Sequence, residues 1–523
     1  MPPSPCVATL SELHADHVKR VNVGETLVLL LQIDGVVHAY GANCPHAGAP
    51  LDEGALCDGR IVCPWHKATF DAATGALLEP PALEGLVRYR TRVTGDNVHV
   101  DPHAAQPGTP PPPPAASSVS HARVLIAGAG ASGAAACAAL REFGFAGPVV
   151  LVGDETGVPY DRTSLSKFVP AGDMAPDDVP PLLPGNFFES QQIERVTGLI
   201  ERLDIAAHTA VLADGRSLSY DTVILASGAG PVVPPMPGNT LAGTFALRTR
   251  GDARRLVEGM PDHSRVVVVG SSFIGLEVAS ALRKREIAVT VVSPDAVPFA
   301  KQFGERFGRY FQALHETNGV TFRLGEKVRS IQRSGSVNAV ELESGEQIGT
   351  DAVLFATGVK PATSFVAGLE LDDDGAIPVD ASMRAAPDVY AVGDIASFPC
   401  GFPYGAASET TQRIRIEHWR VAQQHARIAA QNICGGTAQY AGVPFFWTYH
   451  YGKRYDFLGV AGNWDEQIVE GDPDHHSFAV LYVAHGQLTA LLACDYVAAV
   501  SRLAEAMRGR VTSAQALQIL RGG

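Results

Sequence analysis

Cys44-Pro45-His46 and Cys63-Pro64-Trp65-His66 each put one thiol and one imidazole in a short segment, with residues 47–62 between them. Two thiolates and two imidazoles are a ligand set for a [2Fe–2S] cluster in which His replaces Cys on one iron. They can also hold Zn²⁺. Zinc sites of that composition pair Cys with Cys and His with His. Here each segment carries one of each, which lets two loops clamp a two-iron rhomb with both imidazoles on the same iron. Cys44, His46, Cys63 and His66 are therefore expected to be metal ligands of a one-electron centre.

Two Gly-rich turns point to different chemistry. Gly128-Ala-Gly130-Ala-Ser-Gly133 follows an apolar run, Arg123–Ala127, and opens an Ala-rich stretch. In a dinucleotide fingerprint the first glycine permits the turn, the second lets backbone approach the pyrophosphate, and the third lets helix meet strand. An acid ending the next strand should hold the ribose, and Asp154 and Glu155 stand there. The second turn, Gly270-Ser-Ser272-Phe-Ile-Gly275-Leu-Glu277, has Ser272 where the middle glycine is expected. Its strand ends in Ser293 and not in an acid. No Arg follows to take a 2′-phosphate, and Asp295 would repel one, so NADH is the expected nicotinamide, with NADPH possible.

The stretch CPHAGAPLDEGALCDGRIVCPWHKATFDAATG closely resembles the Rieske ferredoxin family, over residues 5–100. High-potential members of that family carry an extra Cys in each ligand loop and join them by a disulfide. Ala49 and Trp65 occupy those positions here, so the resemblance implies the ferredoxin-like branch, toward the low end of the Rieske range. Val158-Pro-Tyr-Asp-Arg162-Thr-Ser-Leu-Ser-Lys167 resembles a stretch of oxygenase-coupled ferredoxin reductases and apoptosis-inducing-factor-like flavoproteins. Ala391-Val-Gly-Asp394-Ile395 matches their second FAD motif. The resemblance implies that Arg162 and Lys167 contact FAD, that Asp394 meets its ribityl chain, and that Trp447 and Glu417-His418-Trp419 lie near the flavin. Lys167 would be the catalytic cation, stabilising charge on the reduced ring. Disulfide-reductase relatives carry two Cys after the first fingerprint helix; with Thr163 and Ser164 in that neighbourhood, dithiol chemistry is not expected.

The elements that must position these groups follow from pattern. With 523 residues the chain exceeds one hydrophobic core. The expected fold is multidomain: a small all-β Rieske unit, two Rossmann-like α/β nucleotide-binding domains in a glutathione-reductase-like arrangement, and an α+β C-terminal domain. Expected bounds are 1–100 for the Rieske domain, 101–121 for a Pro-rich linker and 122–245 with 375–437 for the FAD domain. The NAD(P)H domain should span 246–374 and the C-terminal domain 438–523. The run Pro110–Pro114 suggests a semi-rigid spacer from which the Rieske domain could swing. A net charge of −14 without a long Lys/Arg run argues against nucleic acid or an anionic membrane as partner. The absence of a long apolar stretch leads us to expect a cytoplasmic protein, as monomer or homodimer. The implied activity is NAD(P)H oxidation through FAD and the cluster to an acceptor protein such as an oxygenase or a cytochrome P450. The alternative is a redox-responsive, apoptosis-inducing-factor-like interaction protein with NADH-dependent oligomerisation.

Overall fold

The computed structural model describes residues 6–14, 17–108, 122–334, 337–402, 413–462 and 464–522; Pro110–Pro114 lies outside them. Near the N-terminus, Thr26–Ile33 and Val36–Gly41 pair through Asp34-Gly35, whose φ values of 48° and 78° suit a tight hairpin. Val87–Thr94 and Asn97–Pro107 extend the sheet, and Cys6–Thr9 and Lys19–Val23 form its two edges. Sequence pattern missed the edges because polar Lys19, Arg20 and Asn22 interrupt the apolar run there. Strand Asn97–Pro107 also runs past Val100, the expected end of the unit. After an irregularity it resumes pairing, Gln106 with Arg88 and Pro107 with Val87. A second sheet, Ala55–Cys57, Arg60–Val62, Thr69–Asp71 and Leu77–Glu79, carries the Cys63–His66 loop between its second and third strands, and the Cys44–His46 loop enters it from the first sheet.

Beyond the undescribed segment, two parallel sheets follow. The first orders its strands Ile193–Thr197, Val149–Gly153, Val124–Ala127, Thr222–Leu225 and Val389–Ala391, with antiparallel Arg384–Ala386 at the edge. Helix Ala131–Glu142 crosses from its central strand and packs on helix Trp419–Ile433, both faces being largely alanine. The second sheet is Thr244–Ala246, Ala352–Phe355, Arg265–Val269, Ala288–Ser293 and Thr321–Leu324, all parallel. Runs such as Val266–Val269 are apolar at every position because both faces are covered.

The C-terminal unit is an antiparallel sheet, Phe445–His450, Lys453–Gly459, Gln487–Cys494, Ser477–Ala484 and Glu466–Asp472, with helices Val497–Ala506 and Ser513–Leu520 on it. Glu466–Asp472 was not legible in sequence because its charged residues hide an edge strand.

The N-terminal unit is docked on the rest through buried charge. Arg420, Gln424 and Arg427 recur at helical spacing along one stripe of Trp419–Ile433. Arg420 is 5% exposed; it donates to the Lys67 and Pro80 carbonyls, each at 3.0 Å, and pairs with Glu79. Arg508 pairs with the same carboxylate, and Gln424 donates to it at 2.7 Å. Arg427 donates to the Leu77 carbonyl at 3.1 Å and to Glu142 at 2.9 Å. Lys67, 1% exposed, meets Asp456 at 3.4 Å and Ser501 Oγ at 3.2 Å. Removing one partner of a buried pair leaves the other uncompensated, at a cost of about 3–5 kcal/mol. Glu79→Ala strands the Arg420 guanidinium, while Arg508 keeps Glu505 at 2.8 Å, and should release the N-terminal unit, raising the radius of gyration in X-ray scattering. An unchanged radius would show that these charges do not hold the dock.

Candidate functional site

The two ligand loops are built alike. Cys44 N–H donates to the Ala49 carbonyl and Cys63 N–H to the Ala68 carbonyl, both at 2.8 Å, so each loop closes over its cysteine. Cys44 and Cys63 are 2% and 1% exposed. His46 and His66 meet at the tip, their Nδ1 atoms 3.1 Å apart and their rings edge to face. Burial pushes the pKa of both imidazoles down, and for His66 Arg454 adds to it, which leaves each ring in the neutral, ligating form. The Cys44 thiol, hydrogen-bonded to Cys63, and then the N–H groups of His66 and Trp65 pull Cys63 down toward thiolate. Two thiols on one side and two neutral imidazoles on the other fit a [2Fe–2S] cluster with mixed ligation.

His46 and His66 also form part of the wall of a cavity of about 780 Å³, shared with Gly128, Gly130, Asp154, Glu155, Arg162, Lys167, Glu277, Asp394 and Trp447. The first fingerprint shapes one end. Gly128 has φ 126°, and a Cβ there would lie 2.2 Å from the Ala226 carbonyl oxygen. A Cβ on Gly133 would lie 2.0 Å from the Gly128 oxygen, whereas one on Gly130 would meet nothing within 4 Å. Gly130 thus presents bare backbone to the cavity at the start of helix Ala131–Glu142, where N–H groups attract phosphate. Asp154 is exposed at the strand end, but Glu155 is engaged: Arg162 donates to it at 2.5 Å and the Tyr160 hydroxyl at 2.6 Å. Asp394 pairs with Arg248 at 2.8 Å.

At the other end Lys167 Nζ donates to Glu277 at 3.0 Å and stands 4.5 Å from the centre of the Trp447 ring. Arg454 lies over the same ring at 5.4 Å, and His66 is 5.3 Å from it, centroid to centroid. His418 Nδ1 and Trp419 Nε1 are buried in the cavity wall without a partner, as expected of groups that face a polar planar ring. The cavity, its bare glycine and its orphaned ring nitrogens fit a flavin dinucleotide.

The second fingerprint repeats the first. Gly270 has φ 116° against the Ala356 carbonyl, and a Cβ on Gly275 would lie 2.3 Å from the Gly270 oxygen. Gly270, Ser272, Gly275 and Ser293 do not line the shared cavity, although Glu277 on the same helix does. Ser293 is 1% exposed and hydrogen-bonded to Ser271 Oγ at 2.9 Å. Sequence reasoning missed Arg248, Arg454 and Lys67, which carry no local motif and act through contacts distant along the chain.

The profile of the pyridine nucleotide-disulphide oxidoreductase family matches residues 122–426. The chain belongs to that family. Profiles of the Rieske [2Fe-2S] domain and of the reductase C-terminal domain match residues 4–90 and 445–519. Apoptosis-inducing factor 3 of Homo sapiens is 33% identical over 516 residues, 96% of this chain and 83% of its own length. A ferredoxin–NAD(P)+ reductase of a Sphingomonas species is 35% identical over 377 residues, 71% of this chain and 89% of its own. The crystal structure of a ferredoxin reductase from Rhodopseudomonas palustris superposes with a TM-score of 0.70 at 28% identity, covering 77% of this chain and 99% of that one. This oxidoreductase is thus a ferredoxin-reductase-like NAD(P)H flavoprotein with a Rieske domain, using FAD, a [2Fe–2S] cluster and NADH. No described helix is long and apolar enough to cross a membrane.

Ligation by two imidazoles should give the reduced protein a low average g value in EPR, with one [2Fe–2S] per chain by iron and sulfide analysis. His66→Ala should lose that signal and its iron while keeping FAD, because the glycine cradle lies in another domain. Zinc in place of iron would contradict the assignment.

Proposed function

We propose that the protein takes hydride from NADH and delivers single electrons to an acceptor protein, with the Rieske domain held against the flavin pocket throughout. One observation carries the reading: a ligand loop and the flavin pocket share one wall, where His66 packs against Trp447. Bound flavin supplies the conversion of a two-electron donor into one-electron steps, and the cluster accepts them singly.

The chain's own residues supply binding and orientation. Gly128, Gly130 and Gly133 shape the pyrophosphate cradle, Asp154 meets the ribose, and Asp394, oriented by Arg248, meets the ribityl chain. Arg162 acts through Glu155, fixing the loop. Lys167, the catalytic cation, is aimed by Glu277 and by the Trp447 ring face, and its charge favours electron-rich flavin. Gly270, Ser272 and Gly275 hold the nicotinamide dinucleotide on the second sheet, and the buried Ser293 leaves Asp295 as the acid facing the ribose, which favours NADH. Cys44, His46, Cys63 and His66 hold the cluster. Trp65, beside His66 at 6.4 Å and 37% exposed, offers the face at which an acceptor approaches. The acceptor class that suits a low-potential Rieske centre is an oxygenase component or a cytochrome P450.

Anaerobic stopped-flow with NADH tests this directly. Trp447→Leu should slow cluster reduction at least about tenfold, 1.4 kcal/mol of barrier, and by more than it slows flavin reduction. Cluster reduction at the native rate would remove Trp447 from the route. A cluster that stays oxidised under excess NADH, with a change in sedimentation instead, would favour the oligomerisation reading.

A further inference from the structure

Hydride transfer from NADH brings two electrons and one proton, and single-electron acceptors remove only the electrons. For each NADH oxidised by two one-electron acceptors, one proton must therefore leave the flavin pocket for water. The docked Rieske loops form part of the wall of that pocket, and Lys167 and Glu277 in its wall are only 7% and 5% exposed.

From Glu277 a continuous string of hydrogen bonds runs the other way. Thr448 Oγ1 donates to Glu277 Oε1 at 2.7 Å. Thr448 Oγ1 and His450 Nε2 are 3.0 Å apart, His450 Nδ1 and His315 Nε2 3.2 Å, and His315 Nδ1 and the Tyr451 hydroxyl 2.9 Å. Thr448 is 1% exposed and both histidines are fully buried. Tyr451, half-buried, opens the two-residue turn to Lys453–Gly459, where φ values of 48° and 79° put Tyr451-Gly452 at the tip of a hairpin beside exposed Lys453. We infer that Thr448, His450, His315 and Tyr451 form a proton path from Glu277 to solvent. The inference rests on the hydride-accepting role proposed above.

The chemistry of each link is specified. Glu277 accepts from Ser166 at 2.6 Å as well as from Lys167 and Thr448, so both its oxygens stand as acceptors. An acceptor at that end fixes every hydrogen in turn: Thr448 O–H toward Glu277, His450 Nε2–H toward Thr448, His315 Nε2–H toward His450, and Tyr451 O–H toward His315. Both imidazoles are then neutral Nε2–H tautomers. Burial, with Lys167 adding to it, lowers His450 to about 3; burial and then the neighbouring His450 lower His315 well below the usual range. The rings of Phe299, Phe311, Phe322 and Tyr455 surround the pair, and burial raises the Tyr451 phenol while Arg283 works against that shift. This apolar sleeve keeps water from short-circuiting the path.

In the outward step Glu277 holds the proton and passes it to Thr448 Oγ1. Each group hands on its own hydrogen, and Tyr451 releases one to water, so no proton is created or lost. The step leaves every hydrogen pointing inward, the arrangement that ionised Glu277 imposes. Turning the Thr448 and Tyr451 hydroxyls outward and moving each imidazole hydrogen from Nε2 to Nδ1 recharges the path.

The test uses the full-length holoenzyme. Nitrogen-15 NMR of histidine-labelled protein should show His315 and His450 as Nε2–H tautomers, with scalar coupling across the hydrogen bond between them. An Nδ1–H tautomer at either ring, or a charged one, would overturn the path. Stopped-flow with a pH-indicator dye then compares proton release with flavin reduction by NADH. Thr448→Val should delay proton release at least about tenfold relative to electron arrival at the cluster. Thr448→Ser should restore it, and Tyr451→Phe should delay it. Proton release that keeps pace in both Thr448→Val and Tyr451→Phe would refute the relay. Failure of NADH to reduce the native flavin would refute the underlying reading, and leave the tautomer result to judge the path by itself.

Discussion

Four charges at one seam, buried Arg420, Lys67 and Asp456 with half-buried Glu79, constrain everything downstream of them. Leaving them unpaired in a low-dielectric interior is costly, and in the docked placement the Rieske domain and the reductase satisfy each other's charges. That placement brings the backbone of residues 67 and 80 under Arg420 and sets His66, next to Lys67 in the chain, against Trp447. In the structure the domain is docked by Arg420 on Glu79 and by Lys67 on Asp456.

The docked arrangement explains how charge is distributed around the pocket. Trp447 lies between two cations, Lys167 and Arg454, and one neutral imidazole, His66. On the proposed reading the cations favour an electron-rich flavin on one side, and the buried imidazoles favour metal ligation on the other. Glu277 belongs to both problems. It aims Lys167 and, through Thr448, reaches a buried histidine pair that joins the nucleotide domain to the C-terminal sheet.

Much of this was legible in the amino-acid order wherever chemistry is local. The Cys-x-His and Cys-x-x-His loops and the glycine turns are each contained within a few residues of chain, and the structure brings His46, His66, Gly128, Gly130, Lys167, Asp394 and Trp447 to one cavity. What sequence could not show depends on residues far apart along the chain. Glu79 and Arg508 meet across the seam, and His315 on helix Ala300–Thr317 finds His450 on a strand of another unit. Edge strands such as Lys19–Val23 and Glu466–Asp472 escaped because polar residues face solvent there and erase the periodicity.

The central claim is that electrons cross from flavin to cluster inside a preformed dock and not after a domain search. The dependence of the flavin-to-cluster rate on solvent viscosity and ionic strength tests it most directly, measured anaerobically by rapid mixing with excess NADH. A docked pair predicts a first-order rate unmoved by added sucrose and by salt, since buried charges are little screened. A rate that falls in proportion to viscosity, or that shifts steeply with salt, would show that the Rieske domain must travel before it is reduced.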